Sequence, residues 1–264
     1  MSIHFAKKHY RIQAIILLFS LSLVFHLSVP SPAYAAYSSW EEALVNIESM
    51  YDTYTLVESS NKAVKQQIQI LRKENNEKLK SINARVQMID KALLDRLKSD
   101  ADSTRQKHAP LLAEYTSLGK KASEARKRKD SKGALLYDLK RNRIKVQVTT
   151  ARQSIKQKQD AYNAAKKQAA AKTKLVKDAL LGIPAIKKKV TAENQQISSL
   201  NKSKASADKR YKAAIKQGDA LAAGTELAMM IDLLHQIQTF QQKILKDEQS
   251  ISHALKVAEA RLPG

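Results

Sequence analysis

From residue 39 onward, apolar residues return every three or four positions along nearly the whole chain. The first run reads Trp40, Leu44, Ile47, Tyr51, Tyr54, Val57, Asn61, Val64, Ile68, Leu71, Asn75, Leu79, Ile82, Val86, Ile89, Leu93 and Leu97, about 3.6 residues per step. Such a stripe stays on one side of a helix, so it predicts a single long helix that faces one neighbour along its whole length. Ser39-Trp40-Glu41-Glu42 has the form of a capping box and places the helix entry at residue 39. Asn61 and Asn75 fall inside the stripe. An amide there either fixes the register against a polar partner or turns to water.

The pattern lapses over 98–110 into Ser99, Asp100, Asp102 and Ser103, and Pro110 suits the first turn of a new helix, so a bend is expected here. Leu111, Leu112, Tyr115 and Leu118 carry a shorter helix toward Asp130-Ser131-Lys132-Gly133, a turn signal at which the chain should reverse. A helix over about 134–181 follows, with Val148, Ala151, Ile155, Tyr162, Ala165, Ala169, Val176 and Leu180 on its stripe and Lys158 and Lys172 falling among them. This seam is narrow and Ala-rich, which permits close approach but buries little apolar area. Gly182 and Pro184 should stop it.

Ile186, Val190, Ile197, Leu200, Ala207, Tyr211 and Ala214 then outline a further helix that ends at Gly218-Asp219. Residues 220–262 are the most apolar helical stretch, with Leu227, Ile231, Leu234, Ile237, Ile244, Leu245, Ile251, Leu255 and Leu262 in the stripe. Short connections between long helices make neighbours antiparallel. The expected fold is therefore all-α: an elongated antiparallel helical bundle or coiled coil of about five long helices. Only six Gly and five Pro in 264 residues, with 5% aromatic residues, agree with few turns and a slender core.

The N-terminus departs from this pattern. Lys7, Lys8 and Arg11 precede an apolar run from Ile12 to Val29, which is followed by Pro30, Pro32 and the small-residue triplet Ala33-Tyr34-Ala35. These features read as a Sec-type signal peptide over residues 1–35, leaving 36–264 as one helical domain and implying a secreted protein, extracellular or held in the cell envelope, in the periplasm where an outer membrane exists. The chain has no Cys, which excludes disulfides, thiolate metal sites and a lipoprotein anchor.

Charge adds the one functional signal. The net charge is +22, and residues 120–190 hold twenty-two Lys and Arg against five Asp and Glu, whereas 36–119 hold twelve of each. Lys120, Lys121, Arg126, Lys127, Arg128, Lys129, Lys140, Arg141, Arg143, Lys145, Lys166, Lys167, Lys187, Lys188 and Lys189 are the candidate polyanion-binding residues. A solvated helix face usually alternates its charges, and this segment does not. Nucleic acid is disfavoured as the partner, because single-strand binders add stacking aromatics and the segment offers only Tyr137 and Tyr162. Export points instead to an anionic envelope polymer such as teichoic acid or lipopolysaccharide, or to anionic lipid. The helix seams leave room for a protein partner or a second copy of the chain.

No chemistry is expected. His235 and His253 lie 18 residues apart on one helix, about 27 Å along its axis, too far to share a metal. HExxH, EF-hand, GxGxxG, Walker and GxSxG patterns are all absent. The reading is a non-enzymatic binding or scaffold protein without a cofactor. In signal, charge and helicity, though in no motif, the chain resembles the Skp-type family, basic exported helical chaperones that hold unfolded outer-membrane clients. That resemblance implies a holdase as the alternative, and a coiled-coil regulator of a cell-wall hydrolase is the other.

Overall fold

The structure is a computed structural model, and it describes residues 39–263. Its elements are α1 (Trp40–Met88), α2 (Lys91–Lys127), α3 (Ser131–Leu180), α4 (Ile183–Gln217) and α5 (Ala220–Ala260). No strand occurs among the described residues, and the five pieces form three long bent helices. The expected all-α bundle of about five long helices is thus observed. The segment assigned to the signal peptide lies outside the described residues. The chain separates into two compact units, residues 39–62 with 197–239, and residues 63–196 with 240–263.

The first unit is a three-helix bundle. Ser39 Oγ accepts the Glu42 amide at 3.1 Å and opens α1. The Trp40 indole N–H donates to the Gly218 carbonyl at 2.9 Å, and Asn61 Nδ2 donates to the Leu234 carbonyl at 2.8 Å, so α1 and α5 advance in parallel through this unit. The α4 helix runs the other way, with Lys204 against Tyr54 and Glu58. Gly218 supplies the reversal between α4 and α5 with φ 70°, a conformation that side chains with a Cβ resist. The interior is built on α5, where Ala223, Leu227, Met230, Ile231, Leu234 and Ile237 are all buried.

A polar node closes one side of this bundle. Lys204 Nζ reaches Glu58 Oε1 at 3.0 Å and the Tyr54 hydroxyl at 3.2 Å, while Lys62 takes Glu58 Oε2 at 3.1 Å. The hydrogen bond from Lys204 outweighs burial and lowers the Glu58 pKa below its ordinary 4.5. Burial works against the charged form of Lys204, yet the bonds to Glu58 and Tyr54 raise its pKa above 10.5. The stability supplied by ionised Glu58 is present above pH 4.5 and is lost as pH falls through its depressed folded value. The contribution of Lys204 is present below pH 10.5 and is lost as pH rises through its raised folded value. Glu58→Gln is therefore expected to melt below the wild type at neutral pH. That gap should close in acid below pH 4.5, as thermal melts over a pH series would record.

In the second unit, α1 (from residue 63), the end of α3, the start of α4 and the end of α5 pack around Ile82, Ile89, Ala169, Val176, Ile183, Ile251, Leu255, Ala258 and Leu262. Here too α1 and α5 are parallel, linked by Arg72 and Asn75 to Glu248 and by Lys78 to Glu259. Both seam asparagines are buried, at 5% and 3% exposure, and both donate to main-chain carbonyls of α5, so they hold register rather than face water. The expected stripe of α1 is otherwise inward from Val57 to Ile89. Trp40, Leu44, Tyr51 and Leu93 are exposed, with Ala43 buried near the first two and Leu94 packed on the core in place of Leu93.

Two sequence expectations are corrected here. The break in the first long helix is at Ile89–Asp90, not over 98–110, and Pro110 lies inside α2. Asp90 adopts the left-handed conformation, φ 52°, and Lys172 of α3 binds both of its carboxylate oxygens at 2.8 and 3.0 Å. Around Pro110 the stripe keeps its register through Ala101, Leu111, Leu112 and Leu118, and Lys158–Asp100 and Arg105–Gln159 tie the weakened turn to α3. The same ion pairs explain why Lys158 and Lys172 fall on an apolar stripe. The α3 helix does stop just before Gly182, as expected, but the stop is a kink and not the reversal that antiparallel neighbours would need: Leu181 stays in helical conformation and α4 resumes at Ile183. Short connections impose antiparallel packing only at the two true reversals, 128–130 and 218–219.

Candidate polyanion-binding surface

Between α2 and α3 the second unit extends a two-helix hairpin. The α5 helix ends beside Leu175, whose carbonyl accepts Arg261 Nη1 at 3.0 Å, and from there to the reversal α2 and α3 pack on each other, with no third helix among the described residues. Their shared seam is made of Ala101, Leu118, Ala122, Ala125, Ala134, Val148, Ala151 and Ala165. Small side chains bring the two backbones close, and antiparallel pairing is fixed by Lys158–Asp100 toward the base and Arg126–Asp138 near the tip.

The tip is tightly closed. Arg128 and Asp130 amides bond back to Ala125, at 3.1 and 2.9 Å. Lys129 takes φ 60°, and Asp130 caps α3 by accepting the Gly133 amide at 2.8 Å. Arg126 and Lys127 sit in the last turn of α2, where the exposed carbonyls of a helix C-terminus favour positive charge. The fifteen candidate residues then resolve into three groups rather than one continuous surface. Lys120, Lys121, Arg126, Lys127, Arg128, Lys129, Lys140, Arg141, Arg143 and Lys145 gather on the outer part of the hairpin. Lys166 and Lys167 lie roughly 35 Å further along α3, and Lys187, Lys188 and Lys189 roughly 30 Å beyond them on α4, at 1.5 Å per residue.

Their availability differs as well. Fourteen of the fifteen are exposed and Arg141 is half-buried. Its guanidinium lies 4.4 Å from the centre of the Tyr115 ring, with Arg152 behind at 5.8 Å. Gly119 leaves the space this requires, since a Cβ there would come within 3.3 Å of Arg141 Nε. Arg141 therefore braces the hairpin as a cation over an aromatic face. Arg126 is held by Asp138, and Lys187 donates to Asn76 Oδ1 at 2.9 Å. The remaining twelve, among them Lys120, Lys121, Lys127, Arg128, Lys129, Lys140, Arg143 and Lys145 of the outer hairpin, make no ion pair or hydrogen bond among the described residues. Over residues 120–145 there are eleven Lys and Arg against three Asp and Glu, and two of those acids are engaged by Arg126 and by the α3 cap.

One surface feature escapes a search for charge or for buried stripes. On α3, Leu135, Leu139 and Val146 share the outer face and are 60%, 58% and 75% exposed, with Leu136 on its flank at 50%. Their spacing is helical, the same signal that marks a seam, but no helix covers them.

Among the described residues no group of three His, Cys, Asp or Glu side chains converges to hold a metal, and no helix is long and apolar enough to cross a membrane. Burial is the first cause that raises the Glu193 pKa, with Asp247 adding to it. The charges of Lys243 and Lys189 act against that rise.

The fold class these observations define is a bundle of long bent helices, whose second unit carries a basic two-helix hairpin. No protein-family model matches the chain, and neither a curated protein nor a solved structure is similar to it.

Proposed function

We propose that the protein is an exported, non-enzymatic binding and scaffold protein that docks to anionic cell-envelope polymers through the outer part of the α2–α3 hairpin. The observation that carries this reading is the density of unpaired cations there. An ordinary exposed helix neutralises most of its charges with neighbours three or four residues away, as Lys174–Asp178 and Lys212–Asp208 do elsewhere in this chain. The outer hairpin keeps its cations unanswered, at an electrostatic cost to folding that a bound polyanion would remove. The narrow Ala seam fits the same role. It builds a stiff arm with little apolar bulk, and Lys and Arg side chains project from it on both helices. A polymer with regularly spaced phosphates could lie along such an arm without a shaped pocket.

The test is a charge reversal that leaves the fold intact. Arg126 and Arg141 are avoided, because the first holds Asp138 and the second packs on Tyr115. The variant Lys121→Glu, Lys127→Glu, Arg128→Glu and Arg143→Glu is expected to lose retention on purified bacterial envelopes by about tenfold or more at low ionic strength. Wild-type retention should itself fall steeply as salt is raised. Equal retention of the two proteins at low salt would remove the docking function from the hairpin.

A further inference from the structure

Four exposed apolar residues cluster near the tip of α3, apart from Leu175 at its base, and they call for a surface that a soluble polymer does not offer. At about 100° per residue, Leu135, Leu139 and Val146 lie within about 40° of one another, and this direction is nearly opposite to the seam marked by Ala134, Val148 and Ala151. Apolar exposure is confined to this stretch of the arm: from Thr149 to Ala164 the exposed positions of α3 are polar or Ala. Lys132 and Arg143 flank this face, within about 60° of its centre, and Arg128 and Lys129 lie at the adjoining reversal.

From this juxtaposition we infer that the hairpin tip docks on the surface of an anionic phospholipid bilayer, with Leu135, Leu139 and Val146 seated among the acyl chains. The flanking Lys and Arg meet the headgroup phosphates. The inference deepens the polyanion reading and depends on it for the electrostatic part. A helix with an apolar face edged by Lys and Arg is the arrangement that lies in a bilayer interface, where long basic side chains reach back to the phosphates. A second copy of the chain is a poor occupant. Joining two such faces would bring together two tips that each carry eleven Lys and Arg over residues 120–145. Teichoic acid and other water-soluble polyanions satisfy the cations but leave the four side chains in water.

The experiment uses the chain from Tyr37 onward, which holds every helix and contact described above. Co-sedimentation is measured with vesicles of phosphatidylcholine alone and of equal parts phosphatidylcholine and phosphatidylglycerol. Retention on immobilised polyphosphate is measured in parallel. The wild type is expected on the mixed vesicles and on polyphosphate, with about tenfold weaker binding to phosphatidylcholine alone. Leu135→Ser, Leu139→Ser and Val146→Ser together should weaken binding to the mixed vesicles by about tenfold or more and leave polyphosphate retention unchanged. The single variant Leu139→Asp serves as a second probe if circular dichroism shows that the triple variant has lost helix.

Equal binding of wild type and Ser variant to the mixed vesicles overturns the insertion of the tip, even where polyphosphate retention keeps the polyanion reading alive. The same holds if the Ser variant keeps its vesicle affinity but loses an acidic protein partner that the wild type holds, which would make the apolar face a protein contact. Failure of the wild type to bind either vesicles or polyphosphate overturns both readings.

Discussion

Leu255→Ala is expected to destabilise the second unit by about 3 kcal/mol, which for a chain of this size lowers the melting temperature by roughly 8 °C. Leu255 has no exposed surface and belongs to the cluster of Ile82, Val176, Ile183 and Ile251, where helices from every part of that unit meet. Removing its terminal isopropyl group subtracts the transfer free energy of three carbons and leaves a cavity that rigid helices cannot close. The same substitution at exposed Leu139, a Leu on the hairpin arm, should change stability by less than about 0.5 kcal/mol. Urea denaturation would compare the two midpoints, and hydrogen exchange would localise the loss to helices of the second unit. Indistinguishable midpoints would mean that Leu255 is not in a load-carrying core.

The seam of each helix was legible because burial follows a period the sequence carries openly. Val57, Ile82, Val148, Val176, Val190, Leu227 and Ile251 are buried where the spacing of about 3.6 put them. What stayed hidden depends on contacts distant in sequence. The break at Asp90 has no Gly or Pro to announce it and is held by Lys172, 82 residues away. Pro110 announced a break that tethering of α2 to α3 prevents. Taking short connections as reversals, with one bend near Pro110, gave an antiparallel bundle of about five helices. The structure has two kinks and two reversals, so that α1 and α5 run parallel.

The candidate surface was legible as composition and not as geometry. Counting Lys and Arg finds the basic segment but cannot tell that Arg141 lies on Tyr115 or that Arg126 belongs to Asp138. Along α3 two apolar stripes share one helical period. One is covered by α2 and the other, Leu135 to Val146, is open. Periodicity alone does not say which stripe has a neighbour; packing decides it.

Glu248→Ala should cost about 3 kcal/mol, read as a shift in the urea midpoint, although it removes a charge from an apolar seam. The Glu248 side chain is almost fully enclosed. Its Oε1 accepts Arg72 Nε–H at 2.7 Å and its Oε2 accepts Asn75 Nδ2–H at 3.0 Å. Without the carboxylate, Arg72 keeps its charge, already has one buried nitrogen without a partner, and has nothing anionic to face. Losing one member of a buried ion pair costs about 3–5 kcal/mol, and the lower end applies because the Arg72 side chain is 37% exposed and can turn to water. Replacing all three groups, Arg72→Met, Asn75→Leu and Glu248→Leu, should recover most of that loss, since no charge is then stranded. Asn61→Leu supplies the contrast in the first unit: its amide donates to the Leu234 carbonyl and its own Oδ1 has no partner, so replacement should move the midpoint by less than about 1 kcal/mol. Two asparagines in equivalent seam positions would then differ for a stated reason: at Asn75 the amide also holds the carboxylate that Arg72 binds. A double-mutant cycle between Arg72 and Glu248 isolates that term, and a coupling near zero would reduce the node to a surface pair that adds nothing to the parallel register of α1 and α5.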